Sequence, residues 1–354
     1  MKRLLVILVA VVLTLAVASP VFADVKVGVA MPTQSLQRWN QDGAYMKEKL
    51  EAAGYEVVLT YSDNDVTRQL TDIENMLTAD CKVLVIASID GGSLGTVLAL
   101  AKEMEVPVIA YDRLLVDTDA VDYYATFDNY MVGVIQGSFI EEKLGLKDGA
   151  GPFNLEIVAG SPDDTNAFYF YNGAMDLLKP YIENGQLVVP SGQIDLDVVG
   201  TLQWSSATAQ ERFDNIISSN YAQGVKLDAV LCSNDSTAFG VITALINAGY
   251  PEDQWPVITG QDCDMPNMQY IVSGKQAMSV FKDTRTLAEK VVGMVDALMK
   301  GAEPEINDIE TYFNNVKIVP SYLCTPVFGS ADNYVELLIE SGYYIEEDGE
   351  FRTP

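Results

Sequence analysis

The amino-acid sequence predicts an α/β protein built from two doubly wound domains, each with a parallel sheet covered by helices on both faces. The chain has 354 residues, of which 49% are hydrophobic, and this is enough for two cores of ordinary size. Segments with strand and helix patterns alternate along most of the chain. The strand segments are continuous apolar runs, such as KVLVIAS at 82–88, and this is typical of parallel strands buried on both faces.

In the first half of the chain the strand 25–31 (VKVGVAM) comes first, and a helix with apolar residues at helical spacing follows it and ends before Gly54. The next helix carries Leu70, Ile73 and Leu77 on one face. The predicted strands here are 25–31, 55–61, 82–88, 106–112 and 122–127, and the predicted helices are 38–53, 66–78, 96–104 and 132–144.

The same alternation continues in the second half of the chain, as expected for a second domain of the same class. The predicted strands are 154–159, 186–191, 227–232, 256–260 and 277–281, and the predicted helices are 167–183, 207–221, 237–248, 265–273 and 284–300.

The first 23 residues have the pattern of a secretory signal peptide. Lys2 and Arg3 precede an apolar stretch over 4–17, and the small-residue pattern that ends at Ala23 predicts cleavage after that residue. The alternative is an uncleaved anchor, but the apolar stretch is shorter than the ~20 residues that a membrane span needs. Because no Cys follows closely, no lipid anchor is expected. The sequence therefore predicts an exported protein.

Composition excludes several function classes. The chain contains no histidine, which rules out His-dependent triads and dyads and His-liganded zinc. Its net charge of −28, without a basic cluster, argues against nucleic acid as a partner. The four cysteines lack zinc-site spacing, and we expect free, buried thiols; they are Cys81, Cys232, Cys263 and Cys324.

Planar polar side chains and aromatic rings follow the predicted strands. In open parallel sheets, ligands bind outside the carboxyl ends of the strands. Carboxylate, amide and guanidinium groups bridge neighbouring hydroxyls, and aromatic rings stack on the C–H faces of a pyranose. The candidate binding residues are Arg38, Trp39, Asp112, Arg113, Asn166, Phe168, Trp204, Asn234, Asp235, Asp262 and Lys282. The pattern indicates a neutral ligand with many hydroxyls.

Each of these residues has a structural alternative. Asp and Asn after strands are also common helix N-caps. The tryptophans are compatible with core or rim positions, and Asp112 with Arg113 is compatible with a structural ion pair. An exported glycosidase that uses a carboxylate pair is the alternative function. A sugar-responsive transcription regulator would share the fold, but no helix-turn-helix or basic region is present.

Several motifs resemble those of the type I periplasmic sugar-binding proteins of ABC transporters, above all the multiple-sugar-binding and xylose-binding receptors. They include PTQSLQRW at 32–39, VIASIDG at 85–91, VIAYDRL at 108–114, YYATFDNYMVG at 123–133, GQDCD at 260–264 and FKDTR at 281–285. The resemblance covers essentially the whole chain after the predicted signal peptide.

The resemblance implies two Rossmann-like lobes joined by three crossovers near 127–130, 280–283 and 319–325. We expect lobe one to comprise 24–128 plus 283–318, and lobe two 129–282 plus 319–354. Lobe one would supply Arg38, Trp39, Asp112 and Arg113 to the sugar. Lobe two would supply Asn166, Phe168, Trp204, Asn234 or Asp235, Asp262 and Lys282.

The same resemblance implies a monomeric, non-enzymatic periplasmic receptor without metal or cofactor. It would capture glucose, galactose, xylose or arabinose and deliver the sugar to a membrane ABC permease. Whether a chemoreceptor or sensor kinase also binds the receptor stays open.

Overall fold

A computed structural model describes residues 25–354 and shows two α/β lobes. The predicted signal peptide, 1–23, lies outside the described residues. Strands and helices alternate through both lobes, which confirms the predicted fold class. Over the described range, none of the helices has the length and apolar character that crossing a membrane would require.

Lobe one is built around a six-stranded sheet in which every pair of neighbours is parallel. Its strands are β1 (Lys26–Met31), β2 (Glu56–Tyr61), β3 (Cys81–Ile86), β4 (Val108–Tyr111), β5 (Tyr123–Phe127) and β11 (Ser321–Cys324), in the order β11-β5-β4-β3-β1-β2. The four inner strands are buried along most of their length because helices cover both faces, whereas the edge strand β2 is only partly buried.

Two pairs of helices cover this sheet. Helices α1 (Gln37–Ala52) and α10 (Thr284–Met299) place Met46 and Val291 in the core on one face. Helices α2 (Val66–Thr78) and α3 (Gly95–Glu103) place Ile73 and Leu98 in the core on the other face. These apolar positions follow the helical spacing that the sequence shows.

Lobe two has a four-stranded parallel sheet in the order β7-β6-β8-β9. The strands are β6 (Phe153–Val158), β7 (Leu187–Val188), β8 (Ala229–Cys232) and β9 (Val257–Ile258). Helices α4 (Asn129–Lys143) and α5 (Thr165–Glu183) pack on one face, and α7 (Ser206–Asn220) and α8 (Asp235–Asn247) on the other. The short helix α6 (Leu196–Val199) precedes α7.

The C-terminal part of the chain extends lobe two. Strand β12 (Val327–Gly329) pairs antiparallel with β10 (Ser279–Phe281), and a π-helical segment (Val335–Glu340) and a hairpin of β13 (Ile345–Glu347) and β14 (Glu350–Arg352) follow. With α9 (Met265–Val272) these elements enclose a separate small core that includes Met268, Phe281, Leu338 and Tyr344. No element beyond residue 300 was predicted, because the strands there are only three or four residues long.

The chain passes between the lobes three times. The first two passages lie between β5 and α4 and between β10 and α10, where they were predicted. The third lies after Cys324, within the predicted range 319–325, but the lobe boundary beside it differs from the expected one. Residues 319–354 were assigned to lobe two, but β11 pairs with β5 in the sheet of lobe one, so the chain crosses after Cys324. The boundary was misplaced because β11 has only four residues and lies between two prolines, Pro320 and Pro326.

All four cysteines are free and buried, as expected. They act as small apolar side chains in the cores.

Candidate ligand-binding site

A cavity lies between the lobes, where the carboxyl ends of the two sheets face each other. It encloses about 380 Å³ of empty space, including its mouth. The lining residues are Leu36, Arg38, Trp39, Asp112, Arg113, Asp164, Asn166, Phe170, Trp204, Asn234, Ser236, Gln261, Asp262, Asp264 and Lys282.

The guanidinium of Arg38 is the central charged group of the lobe-one wall. Its Nη2 lies 2.9 Å from Asp112 Oδ2, and its Nε donates to Asp42 Oδ2 at 3.1 Å. Asp42 is fully buried one helical turn further along α1 and also accepts a hydrogen bond from the Tyr111 hydroxyl. Arg38 is therefore held from behind by Asp42 while it faces the cavity. Its Nη1 lies 3.8 Å from Asp262 Oδ1 of lobe two.

The backbone turns sharply at Asp112. Its φ is 59°, and the Arg113 N–H donates to Tyr111 O at 2.6 Å, which closes a γ-turn centred on Asp112. The Asp112 carbonyl accepts hydrogen bonds from Tyr124 Oη and Asn166 Nδ2, at 2.6 and 2.7 Å. Asn166 belongs to lobe two, so the turn is held by both lobes.

The turn separates Asp112 from Arg113, and the two do not form the structural ion pair that the sequence offered as an alternative. Arg38 holds the Asp112 carboxylate, and Arg113 Nε lies instead 3.1 Å from Asp164 Oδ2 of lobe two. Asp164 also accepts from Trp204 Nε1 at 3.2 Å and caps α5 through Asn166 N. The pair of Arg113 and Asp164 thus spans the cleft.

Lobe two contributes a second charged group beside the hinge. Lys282 Nζ lies 3.1 Å from Asp262 Oδ1, and both side chains are more than nine-tenths buried. Gln261 is also buried, and its Oε1 has no hydrogen-bond partner among the described residues. Because Gln261 lines the cavity, this oxygen is available to accept from a ligand hydroxyl.

The two consecutive candidates Asn234 and Asp235 have different roles. Asn234 lines the cavity and also caps α8, since its side chain accepts from Thr237 N at 3.0 Å. Asp235 is fully buried below the cavity wall, where Gln276 and Ser279 donate to its Oδ1. Asn234 therefore faces the cavity, whereas Asp235 lies behind its wall.

The carboxyl groups around the cavity differ in their ionisation. Burial alone would raise the pKa of Asp112, but the positive charges of Arg38, Lys282 and Arg113 outweigh it and hold that pKa below its usual range. Burial raises the pKa of Asp264 well above its usual range, and the negative charges of Asp262 and Asp235 add to this effect. Asp112 is thus an ionised acceptor, whereas a protonated Asp264 can also donate.

Aromatic rings line the cavity on both sides. The Arg38 and Arg113 guanidinium groups lie 4.4 and 5.1 Å from the Trp39 ring centroid. In lobe two, Phe170 and Trp204 pack edge to face with centroids 6.1 Å apart. The Trp204 ring lies so close to Gly160 that a Cβ there would fall 2.0 Å from a ring carbon. Glycine at 160 is what allows the ring to occupy this position.

The structure does not place Phe168 at the cavity. Its side chain is 43% exposed on the outside of α5, and Phe170 lies in the wall instead. Two residues along a helix rotate the side chain by roughly 200°, so the two rings point to opposite sides. The run TNAFYFY at 165–171 has four consecutive aromatic residues, so which ring faces inwards depends on where the helix begins, at Thr165.

Six lining residues were not among the candidates: Leu36, Asp164, Phe170, Ser236, Gln261 and Asp264. Asp164, Gln261 and Asp264 stand in the same post-strand segments as predicted residues, so their position was a usable signal. Leu36 and Ser236 have no distinctive pattern in the sequence.

Comparison with known proteins agrees with this architecture. A family model described as a periplasmic binding protein domain matches residues 27–303. The multiple sugar-binding periplasmic receptor ChvE of Rhizobium radiobacter is 51% identical over 330 residues, which are 92% of this chain and 93% of the receptor. The D-xylose-binding periplasmic protein of Escherichia coli K12 is 33% identical, over 92% of each chain.

A solved structure shows the same fold. The ABC transporter solute-binding protein from Clostridium phytofermentans with bound β-D-glucose is 61% identical and superposes with a TM-score of 0.90, over 92% of this chain and all of that one. With a family model over most of the described residues and relatives this similar along their whole length, the chain belongs to the periplasmic binding protein family.

Proposed function

We propose that this protein is an exported receptor that captures one neutral monosaccharide between its lobes and delivers it to a membrane ABC permease. The observation that carries the proposal is the enclosed cavity, to which both lobes contribute planar polar groups and aromatic rings. The relatives that are named as sugar receptors, and the similar structure with bound glucose, support the same function.

The charges of the cavity favour a neutral ligand. Arg38, Arg113 and Lys282 are each already paired with a carboxylate of the protein. An anionic ligand would therefore add a negative charge beside the carboxylates of Asp112, Asp164 and Asp262, without an unpaired cation in the cavity wall to receive it. Hydroxyl groups, which both donate and accept, fit this mixture of donors and acceptors.

A glycosidase is the less favoured function. A retaining or inverting glycosidase needs one carboxyl group as acid and a second, ionised one as base or nucleophile. Asp112 is ionised, but Arg38 holds its Oδ2 at 2.9 Å, which reduces its capacity as nucleophile or base. The relatives are named as receptors and binding proteins. We expect no release of the aryl group from aryl glycosides, and turnover at an enzymatic rate would contradict the receptor function.

A panel of sugars tests the ligand class. We expect at least one of glucose, galactose, xylose and arabinose to stabilise the protein, by about 4 kcal/mol at a concentration ~1,000-fold above its Kd. This corresponds to an increase in Tm of several degrees, measured by thermal shift. Glucuronate and glucose 6-phosphate serve as charged counterparts and should have no effect.

The protein must first be freed of bound sugar by unfolding and refolding, because a retained ligand would hide the shift. If no aldose changes Tm, the proposed function is wrong. If only the anionic sugars stabilise, the receptor function survives but the inferred ligand class does not.

Export supports the same role. The periplasmic relatives agree with the predicted signal peptide, and we propose that cleavage after Ala23 leaves Asp24 as the first residue. The intact mass of the exported protein tests this position, and a retained Met1 or an attached lipid would contradict it.

A further inference from the structure

The side-chain amide of Gln37 connects the two lobes outside the cavity. Gln37 is the first residue of α1 in lobe one and does not line the cavity. Its Oε1 accepts from the backbone N–H of Met265 at 2.9 Å, and its Nε2 donates to the Tyr344 hydroxyl at 3.1 Å. Both partners belong to lobe two, so both ends of one amide group are bonded across the cleft.

The lobe-two partners are held firmly. Tyr344 is 1% exposed in the small C-terminal core, and its hydroxyl donates to Cys263 O at 3.0 Å. The neighbouring Tyr343 ring lies 4.8 Å from the Tyr344 ring, centroid to centroid, and its hydroxyl donates to Gln41 Oε1 of α1 at 3.2 Å. Gln37 and Gln41, one turn apart at the start of α1, therefore bind a pair of tyrosines from the other lobe.

The backbone N–H of Met265 requires a hydrogen-bond acceptor from outside its own helix. Met265 is the first residue of α9, and the N–H groups of a first helical turn have no partner within the helix. The preceding residue, Asp264, forms no side-chain cap on α9, so Gln37 takes this place. When the lobes separate, the bonds of the amide are exchanged for bonds to water. They therefore stabilise the closed arrangement relative to the open one.

We propose that Gln37 and Tyr344 form a latch that stabilises the closed state and so raises the affinity for every sugar without contacting any of them. A group that acts only on the open–closed equilibrium changes the apparent Kd of all ligands by one common factor. A residue that touches the ligand changes the Kd values of different sugars by different factors. The inference rests on the proposed function, since sugar affinity is its readout.

The test compares Gln37→Ala and Tyr344→Phe with the wild type by calorimetric titration of two aldoses that bind. We expect each variant to raise Kd by roughly 5- to 30-fold, the effect of losing one or two hydrogen bonds in the closed state. The factor should be the same for both sugars. Because the two residues share a hydrogen bond, the double variant should raise Kd by less than the product of the two single-variant factors.

Matched controls exist in the same chain. Gln254 is exposed on lobe two, and the Tyr171 hydroxyl donates to Ile194 O within lobe two, so Gln254→Ala and Tyr171→Phe should leave Kd unchanged. Tyr344→Phe removes a single oxygen, which keeps the test valid if Gln37→Ala is poorly folded.

Unchanged affinity in both latch variants would overturn the latch, and so would factors that differ between the two sugars. Failure of the wild type to bind any sugar is a different result, which refutes the proposed function. In that case, small-angle scattering of the sugar-free wild type and variants tests the latch. There the variants should have a larger radius of gyration than the wild type, and equal radii count against the latch.

Discussion

Replacing Asp112 by alanine should weaken sugar binding by roughly 30- to 1,000-fold, about 2–4 kcal/mol, while the protein stays folded. The Asp112 carboxylate lines the cavity, is held by Arg38 at 2.9 Å and is kept ionised by the surrounding positive charges. A charged acceptor of this kind forms strong hydrogen bonds with hydroxyl groups. Its loss leaves the ligand hydroxyls without this acceptor and removes one of the carboxylates that contact Arg38 in an enclosed site.

The fold should tolerate this change for two reasons. Arg38 keeps Asp42 as a partner, and the hydrogen bonds at Asp112 that hold the turn are made by the backbone carbonyl. Calorimetric titration of folded Asp112→Ala protein measures the effect, and Asp112→Asn, which keeps an acceptor without the charge, should lie between alanine and wild type. If the affinity of the alanine variant stays within threefold of wild type, Asp112 has a structural role only.

Replacing Arg38 by methionine should lower the free energy of unfolding of the unliganded protein by about 3–5 kcal/mol at pH 7. This is the usual cost of removing one partner of a buried ion pair. The fully buried Asp42 and the nearly buried Asp112 would lose the cation that both of them contact. Denaturant unfolding at pH 7 measures the loss. The exposed Arg68 pairs with Asp63 at the surface, so Arg68→Met should cost less than about 1 kcal/mol and serves as the control.

The loss at Arg38 should depend on pH. Burial raises the pKa of Asp42 to about 6 from 3.8 even though Arg38 lowers it, so removing Arg38 raises this pKa further. A carboxyl group whose folded pKa is raised destabilises the fold above that pKa, and the destabilisation disappears as the pH falls towards the unfolded value. The stability difference between Arg38→Met and wild type should therefore shrink between pH 7 and pH 5. An equal difference at both pH values would show that lost packing dominates.

Most of the fold could be predicted from local patterns. Continuous apolar runs located the parallel strands, because strands covered by helices on both faces are apolar along their whole length. Apolar residues at helical spacing located the long helices. The rule that ligands bind at the carboxyl ends of parallel strands located the cavity, because segments after strands such as β4 and β6 converge there.

The parts that escaped prediction depend on geometry that local patterns do not encode. Phe168 and Phe170 differ only in which side of α5 they occupy. The partner of Asp112 depends on a γ-turn that separates it from Arg113. The assignment of residues 319–324 to lobe one depends on the pairing of the four-residue strand β11 with β5, which is a contact between distant parts of the chain.

Closure of the two lobes around a sugar is the central claim. In the structure, Arg113 of lobe one pairs with Asp164 of lobe two, and Asn166 donates to the Asp112 carbonyl across the same cleft. A ligand that touches both walls stabilises this closed arrangement by its differential affinity.

Small-angle scattering of the sugar-free protein, before and after saturation with the aldose that raises Tm most, tests this claim directly. The radius of gyration should fall on saturation, since the two lobes approach each other as the cleft closes. Superimposable scattering curves at full saturation would contradict closure of the lobes around the sugar.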